Sequence, residues 1–271
     1  MKSRWVSAPY LIWTFIFIVI PTALVFVFAF TDQSGSFTFN NLIAVGRYSG
    51  IFLRSIYLGA IATFICLLLG YPMAYIISRA LPQKQSVMIM LIMLPMWMNF
   101  LLRTYAWMTI LENNGLINRF LGLFGIGHLE LINTPGAVVL GMVYNFLPYM
   151  ILPIYSIMTK IDSRIIEAAQ DLGANRVKVF SKVIVPLSIP GIISGVTMVF
   201  VPAVSTFIIS KMLGGGANLL IGDLIDMQFL GSSYNPNLGS AISLVLMFLI
   251  LICMGIMNQF DDGEETGGMI I

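Results

Sequence analysis

The stretch DSRIIEAAQDLGANRVKVFSKVIVP, residues 162–186, begins just after one long charge-free run and ends inside another. These two runs cover residues 137–159 and 183–210. Each is long enough to cross about 30 Å of hydrocarbon as a helix that rises about 1.5 Å per residue. A charged segment with a charge-free run on each side predicts two membrane-spanning helices joined by a loop at the membrane surface.

The same pattern extends outward to both ends of the chain. Three more runs carry no charge, and a fourth contains only Arg103, which we interpret as reaching the lipid headgroups from an apolar stem. The first run is longer than the apolar core of a signal peptide, so we expect it to remain in the mature protein. The sequence predicts one all-α, polytopic transmembrane domain over residues 1–271, with helices at about 10–30, 55–77, 87–111, 137–159, 183–210 and 239–260 and a loop at 160–182.

The composition excludes several classes of protein. The chain is 58% hydrophobic and only 10% charged, whereas roughly a quarter of the residues of a soluble domain are charged. A soluble enzyme, a nucleic-acid-binding protein and a disordered protein are therefore excluded. The net charge of +2 is too small to indicate a polyanionic partner. Cys66 and Cys253 both lie in apolar runs, so we expect buried thiols.

The basic residues predict the orientation of the chain. With the N-terminus inside, nine Lys and Arg residues, among them Lys2 and Arg4, lie on the cytoplasmic side and five lie outside. Lys and Arg are enriched in cytoplasmic loops. We therefore expect both termini, and the loop at 160–182, in the cytoplasm.

The charged stretch itself has the pattern of two short amphipathic helices. Asp162 or Ser163 is a suitable N-cap, and Gly173 is suited to end the first helix. Ile165, Ile166, Ala169 and Leu172 recur at helical spacing, and in the second piece Val177, Phe180 and Ile184 share a face. Periodicity alone leaves open whether this segment anchors to lipid headgroups or binds another protein.

The residue identities in this stretch resemble a known motif. Glu167, Ala168 and Ala169, followed by Gly173 and then Pro186, resemble the EAA loop of ABC-importer permeases. The resemblance implies the type I ABC-importer permease fold and a place in the bacterial cytoplasmic membrane. It also implies that the loop docks on an ATPase through the residues of the motif and its flank, Glu167, Ala168, Ala169, Asp171 and Gly173.

The partners follow from the same resemblance. The chain has no phosphate-binding loop of the GxxxxGK[ST] type, so we expect no enzyme activity and no cofactor, with ATP bound by a separate ABC ATPase dimer. An extracytoplasmic solute-binding protein and a second permease subunit are also implied. Whether that subunit is a related chain or a second copy stays open. The lipid bilayer is a further partner, and we expect no nucleic acid.

Further segments narrow the substrate. Residues 70–75 (GYPMAY), 94–99 (LPMWMN), 133–135 (NTP) and 219–225 (LLIGDLI) resemble the permeases of spermidine/putrescine importers. The resemblance implies a polyamine substrate, while thiamine, iron or another organic ion remains an alternative. Since the charge-free runs contain no carboxylate, we expect weak passage rather than tight binding.

Candidate pathway residues are aromatic, amide and acidic side chains that suit a cation. Those near span ends are alternatively interfacial anchors, and the acidic pair alternatively belongs to a solvated loop. The candidates are Trp97, Asn99, Tyr105, Tyr144, Asn145, Tyr149, Asp223 and Asp226.

Two other functions fit less well, and prolines indicate where the chain bends. An intramembrane enzyme or an ion-coupled secondary transporter needs acid–base or acidic groups at bilayer depth, and the one histidine, His128, lies in a loop. Pro186, Pro190 and Pro202 mark the fifth span as a hinge candidate. The Gly191-x-x-x-Gly195 pattern predicts a close helix contact, either internal or with a second subunit.

Overall fold

A computed structural model describes residues 8–216, 218–231 and 233–265. These residues form helices and connecting loops, with one isolated bridge between Thr31 and Phe37. The all-α prediction is therefore confirmed. Lys2 and Arg4, on which the predicted orientation partly depends, lie outside the described residues.

The helices are labelled in chain order. One π-helical turn, Phe15–Val19, joins the first two, and another, Phe180–Ile184, joins the tenth and eleventh. The helices are α1 Ala8–Thr14, α2 Ile20–Ala29, α3 Asn40–Val45, α4 Ser49–Ser78, α5 Pro82–Trp97, α6 Phe100–Leu111, α7 Leu116–Leu123, α8 Pro135–Met158, α9 Ser163–Asp171, α10 Arg176–Val179, α11 Val185–Leu187, α12 Ile189–Ser205, α13 Ile208–Leu213, α14 Ile221–Phe229 and α15 Pro236–Glu265.

Four segments are long and apolar enough to cross a membrane, and two bent pairs bring the number to six if each pair is one crossing. The four are Pro9–Ala29, Asn40–Ser78, Pro135–Met158 and Pro236–Met257. The pairs are Pro82–Trp97 with Phe100–Leu123, bent by 86°, and Arg176–Leu187 with Ile189–Ser205, bent by 62°. Every predicted span is thus matched by a helical segment.

The third span departs from a single helix over residues 87–111. Pro95 removes a hydrogen bond from the last turn of α5, and Met98 and Asn99 are extended. The Asn99 side chain then caps α6 by accepting from the Leu101 N–H at 2.8 Å. Because the chain turns here, Arg103 does not continue along the axis of α5. Its side chain is buried, so the headgroup-contact interpretation of Arg103 is wrong.

The fifth span also differs from its predicted bounds of 183–210. It is bent at Ser188, between α11 and α12, and it ends at Ser205 because Thr206 is extended. Residues 208–213 form the separate helix α13. The structure therefore has a bend between Pro186 and Pro190, where the prolines predicted either a hinge or a static bend.

The core is built by α4, α8 and α12, which pack against one another. Gly191 and Gly195 lie against α8: a Cβ on Gly195 would be 2.8 Å from Met150 Sδ, and one on Gly191 would be 3.0 Å from Ile154 Cα. The small-residue pattern of α12 therefore makes an internal contact. This contact lets two backbones approach closely and fixes α12 on α8.

A second cluster joins the two ends of the chain. α15 packs on α2, α3 and α14, and buries Ala241 and Ile242 among their side chains. Asn237 Nδ2 donates to the carbonyls of Phe28 at 3.2 Å and Thr31 at 2.7 Å. Asn41 Nδ2 donates to the same Thr31 carbonyl at 2.8 Å. One end of the first span is thus tied to the last.

Candidate coupling surface and transport pathway

The α9 helix has hydrogen-bonded caps at both ends. The Asp162 carboxylate accepts from the Arg164 N–H at 2.9 Å, which satisfies one of the free donors of the first turn. At the other end Gly173 has φ +83°, and the N–H of Ala174 donates to the Ala169 carbonyl at 3.0 Å. This is a Schellman motif, which requires a left-handed residue at the glycine position. The cap and the glycine were both predicted from the sequence.

The two faces of α9 have different surroundings. Ile166 and Ala169 pack against the core. Leu172 is 90% exposed, and Ile165 is exposed beside it. Val177 of α10 is exposed too, while Phe180 and Ile184 turn inward. The sequence pattern had grouped these side chains by spacing alone, and the structure divides each group between an inward and an outward side.

The outward side forms what we call the outer coupling face, which consists of Ile165, Ala168, Leu172 and Val177. Glu167 and Asp171 are exposed next to it, and both lie on α9. Four of the five predicted docking residues, Glu167, Ala168, Asp171 and Gly173, are exposed on α9 or just after it, whereas Ala169 packs inward. The structure contains no ATPase, and their docking role stays a prediction.

Aromatic contacts connect this loop to the core helices. The Phe180 ring lies edge-on to Tyr71 and Tyr75 of α4, with centroid distances of 5.8 and 5.3 Å. The Tyr71 hydroxyl is 3.0 Å from Ser188 Oγ, at the bend between α11 and α12. A displacement of the loop would therefore act on α4 and on the bend of α12 together.

The predicted aromatic and amide pathway residues do not form one site. Trp97 and Tyr105 are exposed on α5 and α6, and Asn99 serves as the cap of α6. Tyr144 packs against Trp107 with ring centroids 5.4 Å apart. The last two candidates are both on α8, where Tyr149 is exposed and Asn145 is buried, its Nδ2 donating to the Gly141 carbonyl.

The two predicted acidic residues have separate roles. Asp223 is only 5% exposed, and its Oδ2 accepts from the Leu220 N–H at 2.8 Å at the start of α14. Burial raises the pKa of the Asp223 carboxyl, and a hydrogen bond from Ser210 partly offsets this. Asp226 instead forms an ion pair with Lys211 at 3.0 Å. One residue is a buried helix cap, and the other binds α14 to α13.

The burial of one charged side chain, Arg103, was not predicted from the sequence. Arg103 is 8% exposed, and its Nε and one terminal nitrogen have no hydrogen-bond partner among the described residues. Its guanidinium lies 5.9 Å from the centre of the Phe100 ring. The signal in the sequence was its position as the one charge in an apolar run, eight residues after Pro95 and four after Asn99, a potential cap.

Comparison with protein families gives one match over most of the chain. A family described as "Binding-protein-dependent transport system inner membrane component" matches residues 67–263. The matched segment includes the end of α4, all of α5 to α14 with the coupling loop, and most of α15.

Individual relatives are similar over nearly the full length. The spermidine/putrescine transport system permease protein PotB of Haemophilus influenzae is 39% identical over 250 residues, covering 89% of this chain and 87% of the relative. The protein of the same name from Escherichia coli K12 is 35% identical over 255 residues, covering 90% and 91%.

Solved structures agree on the fold. A chain of a bacterial ABC transporter involved in the import of the acidic polysaccharide alginate superposes with a TM-score of 0.75 and 17% identity, covering 93% of this chain and 92% of the other. The same transporter in complex with an alginate pentasaccharide-bound periplasmic protein gives a TM-score of 0.75 at 17% identity, covering 93% and 91%.

Proposed function

Because the chain belongs to the family of binding-protein-dependent transport system inner membrane components, we propose that it is the membrane-spanning subunit of an ABC importer that carries spermidine and putrescine into the cell. The observation that carries the substrate is the 35–39% identity, over about nine-tenths of this chain, to relatives named as spermidine/putrescine permeases. The chain is a multi-pass membrane protein, and both termini face the cytoplasm in this proposal.

The outer coupling face is the proposed contact with the ATPase. Leu172 and Val177 are large apolar side chains that the chain itself leaves in water. Burying each against a partner would contribute about 1.5–3 kcal/mol. Glu167 and Asp171 add carboxylates at the edge of this face, where charge directs the partner's orientation more than it adds affinity.

The coupling loop transmits motion through Phe180. When the ATPase dimer closes, α9 moves, and Phe180 carries that movement to Tyr71 and Tyr75 on α4. The bend at Ser188 lets α10 and α11 change their angle to α12 while Gly191 and Gly195 hold α12 on α8. In this proposal the segment from α9 to α11 moves as a unit about the bend at Ser188, while α12 stays fixed on α8.

Substrate passage depends on aromatic and backbone groups rather than on carboxylates. The six runs predicted as spans from the sequence contain no Asp or Glu, so a polyamine meets no strong counter-charge there. Tyr149, exposed on α8, offers a ring face that attracts an ammonium group by about 0.5–2 kcal/mol. Selective capture belongs in this proposal to an extracytoplasmic binding protein, and a second permease subunit completes the pathway.

Reconstitution tests the proposal directly. The chain, its ATPase, second permease and binding protein are placed in liposomes, and uptake of radiolabelled spermidine and putrescine is measured with and without internal ATP. We expect uptake that requires ATP and the binding protein. Uptake driven by an ion gradient without ATP would overturn the importer mechanism. ATP-dependent uptake of thiamine or ferric iron, without uptake of polyamine, would overturn the proposed substrate but keep the importer mechanism.

A further inference from the structure

The short helix α7, Leu116–Leu123, exposes an apolar face that no other part of the described chain covers. Leu116, Phe120 and Leu123 project from one side at spacings of four and three residues, and Leu123 is 82% exposed. Phe124 continues this side, with its ring 5.1 Å from that of Phe120. A face of this kind in water would be unfavourable by about 25 cal/mol for each Å² of apolar surface.

The opposite side of α7 is fixed to the protein. Asn118 is buried, and its Nδ2 donates to the Leu129 carbonyl at 3.0 Å while its Oδ1 accepts from the Leu129 N–H at 3.1 Å. Ile117 packs against the core. The direction of α7 is therefore set, and its apolar face points away from the bundle rather than into it.

The bend in the third span places α7 at the edge of the membrane. α5 has 16 residues, which is about 24 Å of helix, and the following segment Phe100–Leu123 turns from it by 86°. Exposed Trp97 lies at the end of α5 and exposed Tyr105 lies on α6. Trp and Tyr are enriched where hydrocarbon meets water. After crossing, the chain thus runs along the membrane boundary.

Exposed apolar side chains continue from the crossing helix to α7 along this path. They are Leu94 and Met98 at the end of α5, Leu101 and Leu102 on α6, and Leu116 at the start of α7. Arg119 is exposed beside the apolar face and forms no ion pair in the part of the chain that the structure describes. A cation next to an apolar face suits the anionic headgroups of a lipid surface.

We infer that α7 lies in the boundary between headgroups and acyl chains, as an interfacial anchor whose apolar face occupies the bilayer and whose Arg119 contacts lipid phosphate. The occupant of this face is lipid, and neither the binding protein nor a second permease subunit covers it. The inference concerns the chain itself and does not rest on the proposed substrate or on the ATPase.

Spin labelling in bilayer nanodiscs tests it. Native Cys66 and Cys253 are replaced by Ser in the full chain, Leu123→Cys is added, and a nitroxide is attached. Its collision rates with oxygen, which concentrates in lipid, and with an aqueous nickel chelate are compared. Leu172→Cys on α9 is the matched control, since Leu172 is exposed to a similar degree. We expect a clearly higher oxygen-to-nickel ratio at position 123 than at 172, because the apolar face of an interfacial helix is buried among acyl chains.

Two outcomes would overturn the inference. A low oxygen-to-nickel ratio at position 123, as expected for a water-exposed residue, would place α7 in water. Low collision rates with both reagents at position 123 would mean that protein, not lipid, covers the face. Phe120→Cys repeats the test one turn away, so that a local folding defect at position 123 cannot decide the result. A lipid-like ratio at position 172 would leave this inference intact and would instead count against the proposed ATPase contact.

Discussion

The helices α7 and α9 come before and after α8 in the chain, and they are built alike. Each is short, is amphipathic, and ends in a Schellman motif at a glycine with positive φ, Gly125 after α7 and Gly173 after α9. Each exposes a leucine by more than 80%, Leu123 or Leu172. The same arrangement of helix, terminal glycine and exposed leucine thus occurs twice, once before α8 and once after it.

The difference between them lies in the charges. α9 carries Arg164, Glu167 and Asp171, whereas Arg119 is the one charged residue of α7. Mixed charges around an apolar patch are typical of a surface that meets another protein in water. A single cation beside an apolar face is typical of a lipid boundary. The comparison teaches that an exposed apolar face is identified by what surrounds it.

The largest effect is expected from a charge placed in the middle of each face. Leu172→Asp should weaken binding of the ATPase by about 30-fold, since a buried anchor residue contributes at least about 2 kcal/mol. Leu123→Asp is the matched control and should leave that affinity unchanged. Binding of the purified ATPase to nanodisc-held variants measures both. Equal losses would show that the two faces are not specialised.

Asparagine replacements compare how α7 is held with how α10, the short helix that follows α9 in the coupling loop, is held. Asn118→Ala removes both hydrogen bonds to Leu129 from a buried side chain and should lower the free energy of unfolding by about 2 kcal/mol. Asn175→Ala removes one exposed cap bond, to the Lys178 N–H, and should cost about 1 kcal/mol. Thermal unfolding in detergent gives the order of the two. A reversed order would mean that α7 is not fixed by Asn118.

The two glycines allow the same substitution at equivalent positions. Gly173→Ala and Gly125→Ala each place a Cβ on a left-handed residue, at a cost of about 1–2 kcal/mol. Neither added Cβ meets an atom within 4 Å, so the strain is local. ATP-dependent uptake should fall in the Gly173 variant alone. Loss of uptake in the Gly125 variant would show that α7 also takes part in coupling.

The smallest effect is expected from single arginines. Arg119→Gln should weaken the association of α7 with anionic lipid by about fivefold, since one basic residue near a charged membrane contributes about 1 kcal/mol. Arg164→Gln should leave lipid association unchanged and alter only the salt dependence of ATPase binding. Spin-label depth at position 123 in vesicles with and without phosphatidylglycerol measures the first change. A similar shift from both variants would contradict the assignment of the two faces.

Much of this fold follows from the sequence because a bilayer restricts where charges are placed. The apolar runs predicted the four long spanning helices and the two bent pairs, and Asp162 and Gly173 predicted the ends of α9. The bend at Asn99 was missed because its amide was interpreted as a pathway group rather than as a cap. The face of α7 was also missed, although the spacing of Leu116, Phe120 and Leu123 was visible.

Side-chain environments were less predictable than helices. The pair Asp223 and Asp226 share a spacing that fits one face, but the three-dimensional packing buries the first and pairs the second with Lys211. Sequence spacing gives neither burial nor a partner from another helix. Likewise the outward position of Leu172 depends on which side of α9 meets the core, and periodicity alone does not decide that.

The bond between Asn237 and the first span has a consequence for synthesis. Asn237 lies 209 residues after Phe28, whose carbonyl it binds. At about 5–20 residues per second, the ribosome needs about 10–40 s to cover that distance. During this interval the first helix has been made, but the carbonyls of Phe28 and Thr31 at its end still lack the hydrogen bonds from Asn237. The helix α15 therefore completes the contacts at this end of the first span, and chains cut short before α15 would keep the Asn41 bond but lack the Asn237 bonds.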